Sequence, residues 1–504
     1  MTDINEHLTK NAHDTIINII SSFHQNKTLV IDKILEKLIN IAMKNKMSEL
    51  KKYGVKQMVF LDVESFEPIE NVIVYFVLTT YESMNIINDN MKKFPKHEHN
   101  IYFSPTRSLP IEHILEFHGI PPKYMFQNLV GINLLPIDLN ILSMEIPMQH
   151  INKFVTNNVK TIIHYIAQII QNFGYIPRIH GIGPCAQYIA NILLKHKYDN
   201  GNGLFDKIII IDRQCDLLTP LLSQESYRGI ISELCNEEFK KILPFSDIIY
   251  EELHNKEFAD VGTILHEKIK LKTDIEKKYK LMQMDNASDI NEMKKMYNEL
   301  HDVPKNLLTL HINIVEKCID ICKNRFAKFT EIEANILDKI NQNDIDKYID
   351  NLIDNRESVI TIIRLLSLIS LTGKLTDYEN YKKKIISKFG CKYVFIFEDL
   401  HKFGFFKTNF MGGIFDDYIG ITTTINRFMQ NKKIKTTLAG SEAFYFNNKT
   451  YTKTNNTLIL VVGGITYDEI DDLAKCKKQI NGNVYIATTS IINGNNLIES
   501  FIPV

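Results

Sequence analysis

The end of this chain constrains its fold more than any other part. Apolar runs over 458–462 and 484–487 read as strands, and 466–478 between them reads as a helix. Two strands and one helix bury too little apolar surface to stand alone. No strand precedes them nearby. From about 250 to 403 the pattern is nearly all helical, and 431–456 is polar and irregular, a surface loop by composition. The tail therefore returns to a sheet begun earlier, and the helical stretch is an insertion within that sheet's domain.

Upstream, strand-like and helix-like segments alternate. Strands at 28–31, 58–61, 72–78 and 100–103 are short and rich in Val, Ile, Phe and Tyr, as buried strands are. Helices at 32–44, 83–93 and 111–117 lie between or after them. A second block has helices at 152–172, 184–197 and 224–240, a short strand before Gly181 and a strand over 207–211. Such alternation implies parallel sheets covered on both faces. The fold class is α/β plus an all-α insertion. At about 150 residues per domain, 504 residues make about three. They are an α/β domain over 1–128, a discontinuous α/β domain over 129–245 and 456–504, and a mainly helical domain over 246–455.

Within the insertion, Phe258, Val261, Leu265, Ile269, Ile275, Tyr279 and Met282 keep helical spacing, with Lys272 the one polar intruder. Leu307, Leu310, Ile314, Cys318, Ile321 and Phe326 form a second stripe, on a helix running to Phe329. A polar break at 284–288 joins the two into a hairpin near 258–330 that projects from the body. Further helices are read over 348–371 and 378–389.

Composition narrows the function. Lys+Arg 59 against Asp+Glu 60 leaves a net charge of −1. A dedicated nucleic-acid binder needs a basic surplus to neutralise phosphates, so that class is set aside. The seven cysteines contain no C-x-x-C pair, which indicates neither a disulfide framework nor a zinc ribbon and fits a reducing cytoplasm. The polar start lacks the apolar core of a signal peptide. The longest apolar runs are 71–79, too short to span a bilayer, and 359–371, interrupted by Arg364. Membrane association is expected to be peripheral.

Several small motifs are candidates for chemistry. Gly181, Gly183 and Ala186 fit G-x-G-x-x-A at a strand-to-helix junction, where a helix N-terminus holds a dinucleotide's pyrophosphate. Pro177 breaks the preceding strand, and no acid closes a clear second strand about 20 residues on, so a tight turn is the plainer reading. Asp212 and Arg213 close an apolar strand, with Asp216, Thr219 and Tyr227 close behind. That position suits a catalytic acid in α/β enzymes. Without a matching nucleophile and base, a buried ion-pair network suits it better. His97-Glu98-His99 lacks further ligands at zinc spacing. Cys318 and Cys322 read as small core residues, and Gly463-Gly464 lacks the Lys-Ser/Thr of a P-loop. Arginine is scarce, so Arg107, Arg213, Arg364 and Arg427 mark places where guanidinium geometry matters. No catalytic, cofactor or metal residue is assigned.

Over 207–239 the chain carries D-R-x-x-D-x-x-T-P-L and a later tyrosine, as Asp212, Arg213, Asp216, Thr219, Pro220, Leu221 and Tyr227. This resembles the signature of the Sec/Munc (SM) protein family. Segments 71–87, 102–108 and 134–145 also resemble that family. The turn over 176–186, the helical segments 360–371 and 381–390, and the stretches 461–469 and 486–500 resemble one branch of it, vacuolar protein sorting-associated protein 33. The likeness runs through nearly the whole chain in order. It departs in one region: the chain is shorter than its family between 408 and 458. In 417–428, Tyr418, Gly420 and Arg427 match the branch pattern, but Thr423 stands where the branch has proline.

The resemblance implies a three-domain arch with a central groove. It implies a scaffold that binds and templates SNARE proteins during endosomal, lysosomal or vacuolar membrane fusion, within a HOPS- or CORVET-type tether, without cofactor or catalysis. The family motif Asp212, Arg213, Asp216, Thr219, Pro220 and Tyr227 is then structural. SNAREs are expected on the helices over 258–282 and 307–329. A vacuolar protein sorting-associated protein 16-like tether subunit is expected at Tyr418, Ile419, Ile421 and Arg427. The rival reading is a nucleotide- or NAD-binding Rossmann-like enzyme built on the Gly181 turn.

Overall fold

The computed structural model describes residues 2–61, 66–104, 124–129, 132, 134–139, 141–146, 174–195, 203–242, 247–284, 305–373, 375, 377–406, 420–429, 443–447, 456–476 and 482–502. Two compact units emerge. One comprises Met1–Asp212, Glu442–Gly464 and Gln479–Ser490. The other comprises Arg213–Ser441, Ile465–Lys478 and Ile491–Val504.

The first unit holds two sheets. Strands β1 (Lys27–Ile31), β2 (Val55–Phe60), β3 (Val72–Leu78), β4 (Glu98–Ser104) and β5 (Tyr124–Asn128) are all parallel, in the order β2-β1-β3-β4-β5. Central β3 is buried along its whole length, which is why its sequence is an unbroken apolar run. Helix α1 (Thr2–Ser21) precedes the sheet. It was not read from the sequence because each of its first three turns carries a single apolar residue among polar ones. Ile4, Leu8, Ala12, Ile16 and Ile20 are all buried. Buried Lys27 donates to Ile20 O, Phe23 O and Tyr53 O at 2.9, 2.7 and 2.8 Å, satisfying carbonyls at and just past the end of α1 and at the end of the helical turn Met47–Tyr53. Helices α2 (Glu36–Ala42) and α3 (Tyr81–Lys93) complete the described part. The helix expected over 111–117 lies outside the described residues.

The second sheet contains β6 (Leu135–Asp138), β7 (Ile141–Ser143), β8 (Arg178–Ile182), β9 (Lys207–Asp212), β10 (Ala443–Asn447), β11 (Thr457–Val462) and β12 (Val484–Thr488), in the order β10-β8-β9-β11-β12-β7-β6. The tail does return: β11 lies between β9 and β12, parallel to both, with Thr457 opposite Lys207 and Val462 opposite Asp212. Strand β10, antiparallel to β8, corrects the reading of 431–456 as wholly irregular. Its consecutive aromatics Phe444, Tyr445 and Phe446 favour an extended backbone over a solvated loop. Helix α4 (Pro184–Lys195) follows β8. The helix expected over 152–172 lies outside the described residues.

The second unit is helical. Its elements are α5 (Tyr227–Leu234), α6 (Phe258–Met284), α7 (Lys305–Ile321), α8 (Ala327–Asp338), α9 (Gln342–Asp354), α10 (Val359–Leu371), α11 (Tyr378–Phe389), α12 (Tyr393–Phe403), α13 (Ile421–Met429), α14 (Tyr467–Cys476) and α15 (Gly494–Glu499), with short helical turns between some of them. The single helix read over 348–371 is in fact two. Arg356 takes a left-handed backbone (φ 53°), and Ser358 caps α10 by accepting from Thr361 N. The helix read over 224–240 starts later, because Ser226 caps α5 by accepting from Gly229 N.

Candidate functional site: a long helix pair and its buried polar anchors

The glycine turn before α4 is filled by the protein's own atoms. The Asp212 carboxylate accepts from Cys185 N at 2.9 Å, so it occupies the start of the helix, where a phosphate would bind. Gly183 has φ +103°, and a Cβ there would run into Asp212 Cβ. A Cβ on Gly181 would meet Ile210 O and the Phe444 ring. Burial first, and then the Asp212 charge, push the Cys185 thiol up to about 12, the opposite of an activated nucleophile.

In the second unit, Arg213 is 1% exposed and grips Glu469 with Nη1 at 2.9 and 3.1 Å and Nη2 at 3.1 Å. Its Nε donates to Asp216 O at 2.8 Å, and Nη2 pairs with Asp216 Oδ2 at 3.2 Å. Asp216 also accepts from Thr219 N and from Ile421 N, both at 3.0 Å. The signature arginine and aspartate thus hold the Thr219-Pro220-Leu221 turn, α13 and α14 together. Arg228, fully buried, pairs with Asp471 and lies 5.0 Å from the Tyr467 ring centre.

Two further anchors lie in this unit, one on α7 and one on α10. The Tyr227 hydroxyl bonds His311 Nδ1 at 2.7 Å, and His311 Nε2 bonds Asp247 Oδ2 at 3.0 Å. Burial alone would raise the Asp247 carboxyl. Hydrogen bonds from His311 and from the N–H groups of Tyr250 and Ile249 outweigh it and hold the group below its usual range. Arg364 on α10 donates to Leu221 O at 2.7 Å and to Asn495 Oδ1 at 3.0 Å, pairs with Glu233 and with Glu333 at 3.4 Å, and stacks 4.9 Å from the Phe329 ring. Gly494 faces its guanidinium, leaving no room for a Cβ.

Of these, the Tyr227–His311–Asp247 chain fixes α7 of the helix pair. α6 has 27 residues, about 40 Å at ~1.5 Å per residue. Only its first turns are buried, through Val261 and Leu265, while Phe258 stacks on Tyr227. Farther along, Ile269 is 37% and Leu271 61% exposed. The side chains of Tyr279 and Met282 lie outside the described residues. On α7 the buried face is Leu308, His311, Ile314, Val315 and Cys318. This corrects the stripe read from Leu307 and Leu310, which are only half-buried. A stripe of apolar residues alone passes over His311, yet burial is tolerable for a histidine with both nitrogens bonded. Past Ile321 the helix widens into a π-turn, Cys322–Phe326, and runs on as α8 through buried Phe329.

The other predicted positions scatter. Tyr418, Ile419 and Arg107 lie outside the described residues. Ile421 is buried at the start of α13, and Arg427 is half-exposed on it. His99 in β4 bonds the Tyr75 hydroxyl and Phe94 O, while the neighbouring His97 packs on the Phe94 ring. No cluster of three metal-capable side chains occurs among the described residues. Gly463 N donates to Thr489 Oγ1. Cys318 meets Cys235 rather than a metal. The sequence reading missed Glu469 and Asp471. Their helix bears Asp468, Glu469, Asp471 and Asp472, a run that looks like a solvated face.

Comparisons with known proteins agree with this architecture. The chain is 24% identical to vacuolar protein sorting-associated protein 33A of Rattus norvegicus, over 85% of this chain and 86% of that one. It is 22% identical to the vacuolar protein-sorting-associated protein 33 homolog of Arabidopsis thaliana, over 96% and 95%. Among solved structures it is similar to the SM protein Vps45 in complex with the Qa SNARE Tlg2. That likeness has a TM-score of 0.60 at 15% identity and covers 98% of this chain and 97% of that one. A model of the Sec1 family matches residues 27–500, and the chain therefore belongs to the Sec1 family.

Proposed function

We propose that this protein is a SNARE-binding scaffold that templates and regulates SNARE assembly in vacuolar or endosomal membrane fusion. Membership of the Sec1 family and likeness to vacuolar protein sorting-associated protein 33 relatives support the reading. The observation that carries it is α6. Its base is packed, and its far part offers Ile269 and Leu271 to solvent. SNARE motifs are disordered alone and pay a large entropy cost to order. A preformed helix that aligns them lowers that cost.

The mechanism needs no covalent chemistry, and we read the protein as non-enzymatic. Asp212 at the start of α4 would repel a phosphate, which argues against the nucleotide-binding rival. Membrane association through partners suits a chain in which, among the described residues, no helix is long and apolar enough to cross a bilayer. The three-part division at 128, 245 and 455 belongs to this proposal, as does a tether subunit resembling vacuolar protein sorting-associated protein 16 on the α13 segment.

The test is a pull-down of SNARE motifs by the purified chain. The double variant Ile269→Asp, Leu271→Asp is expected to weaken binding at least tenfold while circular dichroism and melting stay unchanged. Binding undiminished in that folded variant would refute the α6 surface.

A further inference from the structure

We infer that Cys235 and Cys318 form a reversible disulfide, a redox site at the base of the helix pair. Cys235 terminates α5 and Cys318 lies on α7, 83 residues apart in sequence. Both are buried, at 2% and 0% exposure, and their sulfur atoms stand 3.0 Å apart with one thiol donating to the other. A shift of about an ångström brings such a pair to bonding distance. Ordinary core packing asks only that thiols be small and apolar. It does not ask two of them, on different helices, to face each other.

The surroundings make the pair unequal. The hydrogen bond from Cys318 lowers the Cys235 thiol; burial and the Glu238 charge oppose this, and the Lys317 ammonium adds to the lowering. The same hydrogen bond and burial push Cys318 up. Cys235 is therefore the attacking thiolate and Cys318 the resolving thiol. Lys317, which favours the thiolate, is itself held by Glu238.

The oxidant is a small hydroperoxide. The Cys235 thiolate attacks one oxygen of hydrogen peroxide, the O–O bond breaks, and hydroxide leaves to be protonated, giving a sulfenic acid. Cys318 sulfur then attacks that sulfenic sulfur. The S–S bond forms, and water departs with the Cys318 proton. In sum, two thiols lose two protons and two electrons, and one peroxide becomes two waters. A dithiol reductant reverses the step. The bond pins the end of α5 to α7.

The experiment treats the intact chain with graded hydrogen peroxide, alkylates the remaining thiols and digests without reductant for mass spectrometry. A peptide linking Cys235 to Cys318 is expected as the dominant cross-link. It should vanish with dithiothreitol and be absent from Cys235→Ser and Cys318→Ser. Exposed Cys391 serves as the control that oxidant has acted. If Cys391 is oxidised and no 235–318 link forms in the unaltered chain, the inference is overturned. A dominant link from Cys318 to Cys322, or between chains through Cys391, overturns it equally.

Discussion

Arg364 is shared by two buried carboxylates, Glu233 and Glu333, and one guanidinium cannot neutralise both. Burial raises the Glu333 carboxyl to about 7, against the lowering by Arg364 and by Ser223. Folded Glu333 therefore keeps its proton above the 4.5 of an ordinary glutamate. Its contribution to stability is complete below that value and is lost as pH rises through about 7. The loss across the window is on the order of 3 kcal/mol. Urea midpoints measured from pH 5 to 8 should fall with pH, and Glu333→Gln should flatten that slope. Removing the cation has a different cost. Arg364→Leu strands both carboxylates, and a loss of about 3–5 kcal/mol is expected in denaturant titration. The scarcity of arginine in the sequence drew attention to Arg213 and Arg364. Their acid partners were not legible: Glu469 lies 256 residues from Arg213, beyond any local spacing rule.

At the scale of elements, periodicity found α6 and α7 but turned the face of α7. Apolar counting leaves out His311, whose two hydrogen bonds make it part of the buried face. The same counting missed α1, whose buried apolar residues recur every fourth position along a mostly polar stretch. It ran α9 and α10 together because one left-handed residue, Arg356, carries no strong sequence mark. The start of α13 rests on Asp216, while Arg427 farther along is half-exposed. If α13 holds the tether subunit, Arg427→Glu should abolish its co-purification and leave SNARE pull-down unchanged. Co-purification that persists would place the partner elsewhere. The variant should cost little stability, within about 0.5 kcal/mol, because the side chain is not enclosed.

For the whole molecule, the arithmetic of core size was enough to send the tail back to an earlier sheet. It did not reveal the edge strand β10, whose five residues sit in a polar stretch. β11 is an interior strand, so its removal exposes the apolar edges of β9 and β12 together. A chain truncated after residue 455 is expected to be insoluble or rapidly degraded on expression. Recovery of a protease-resistant truncated chain would contradict that. The order of strands also sets an order of events on the ribosome. Translation at roughly 5–20 residues per second leaves β9 without its inner neighbour for on the order of 10–50 s. Throughout that interval the nascent chain carries an unfinished sheet with a sticky border. A holding chaperone is the natural guard for it, and slow codons between α13 and β10 would lengthen the danger rather than relieve it.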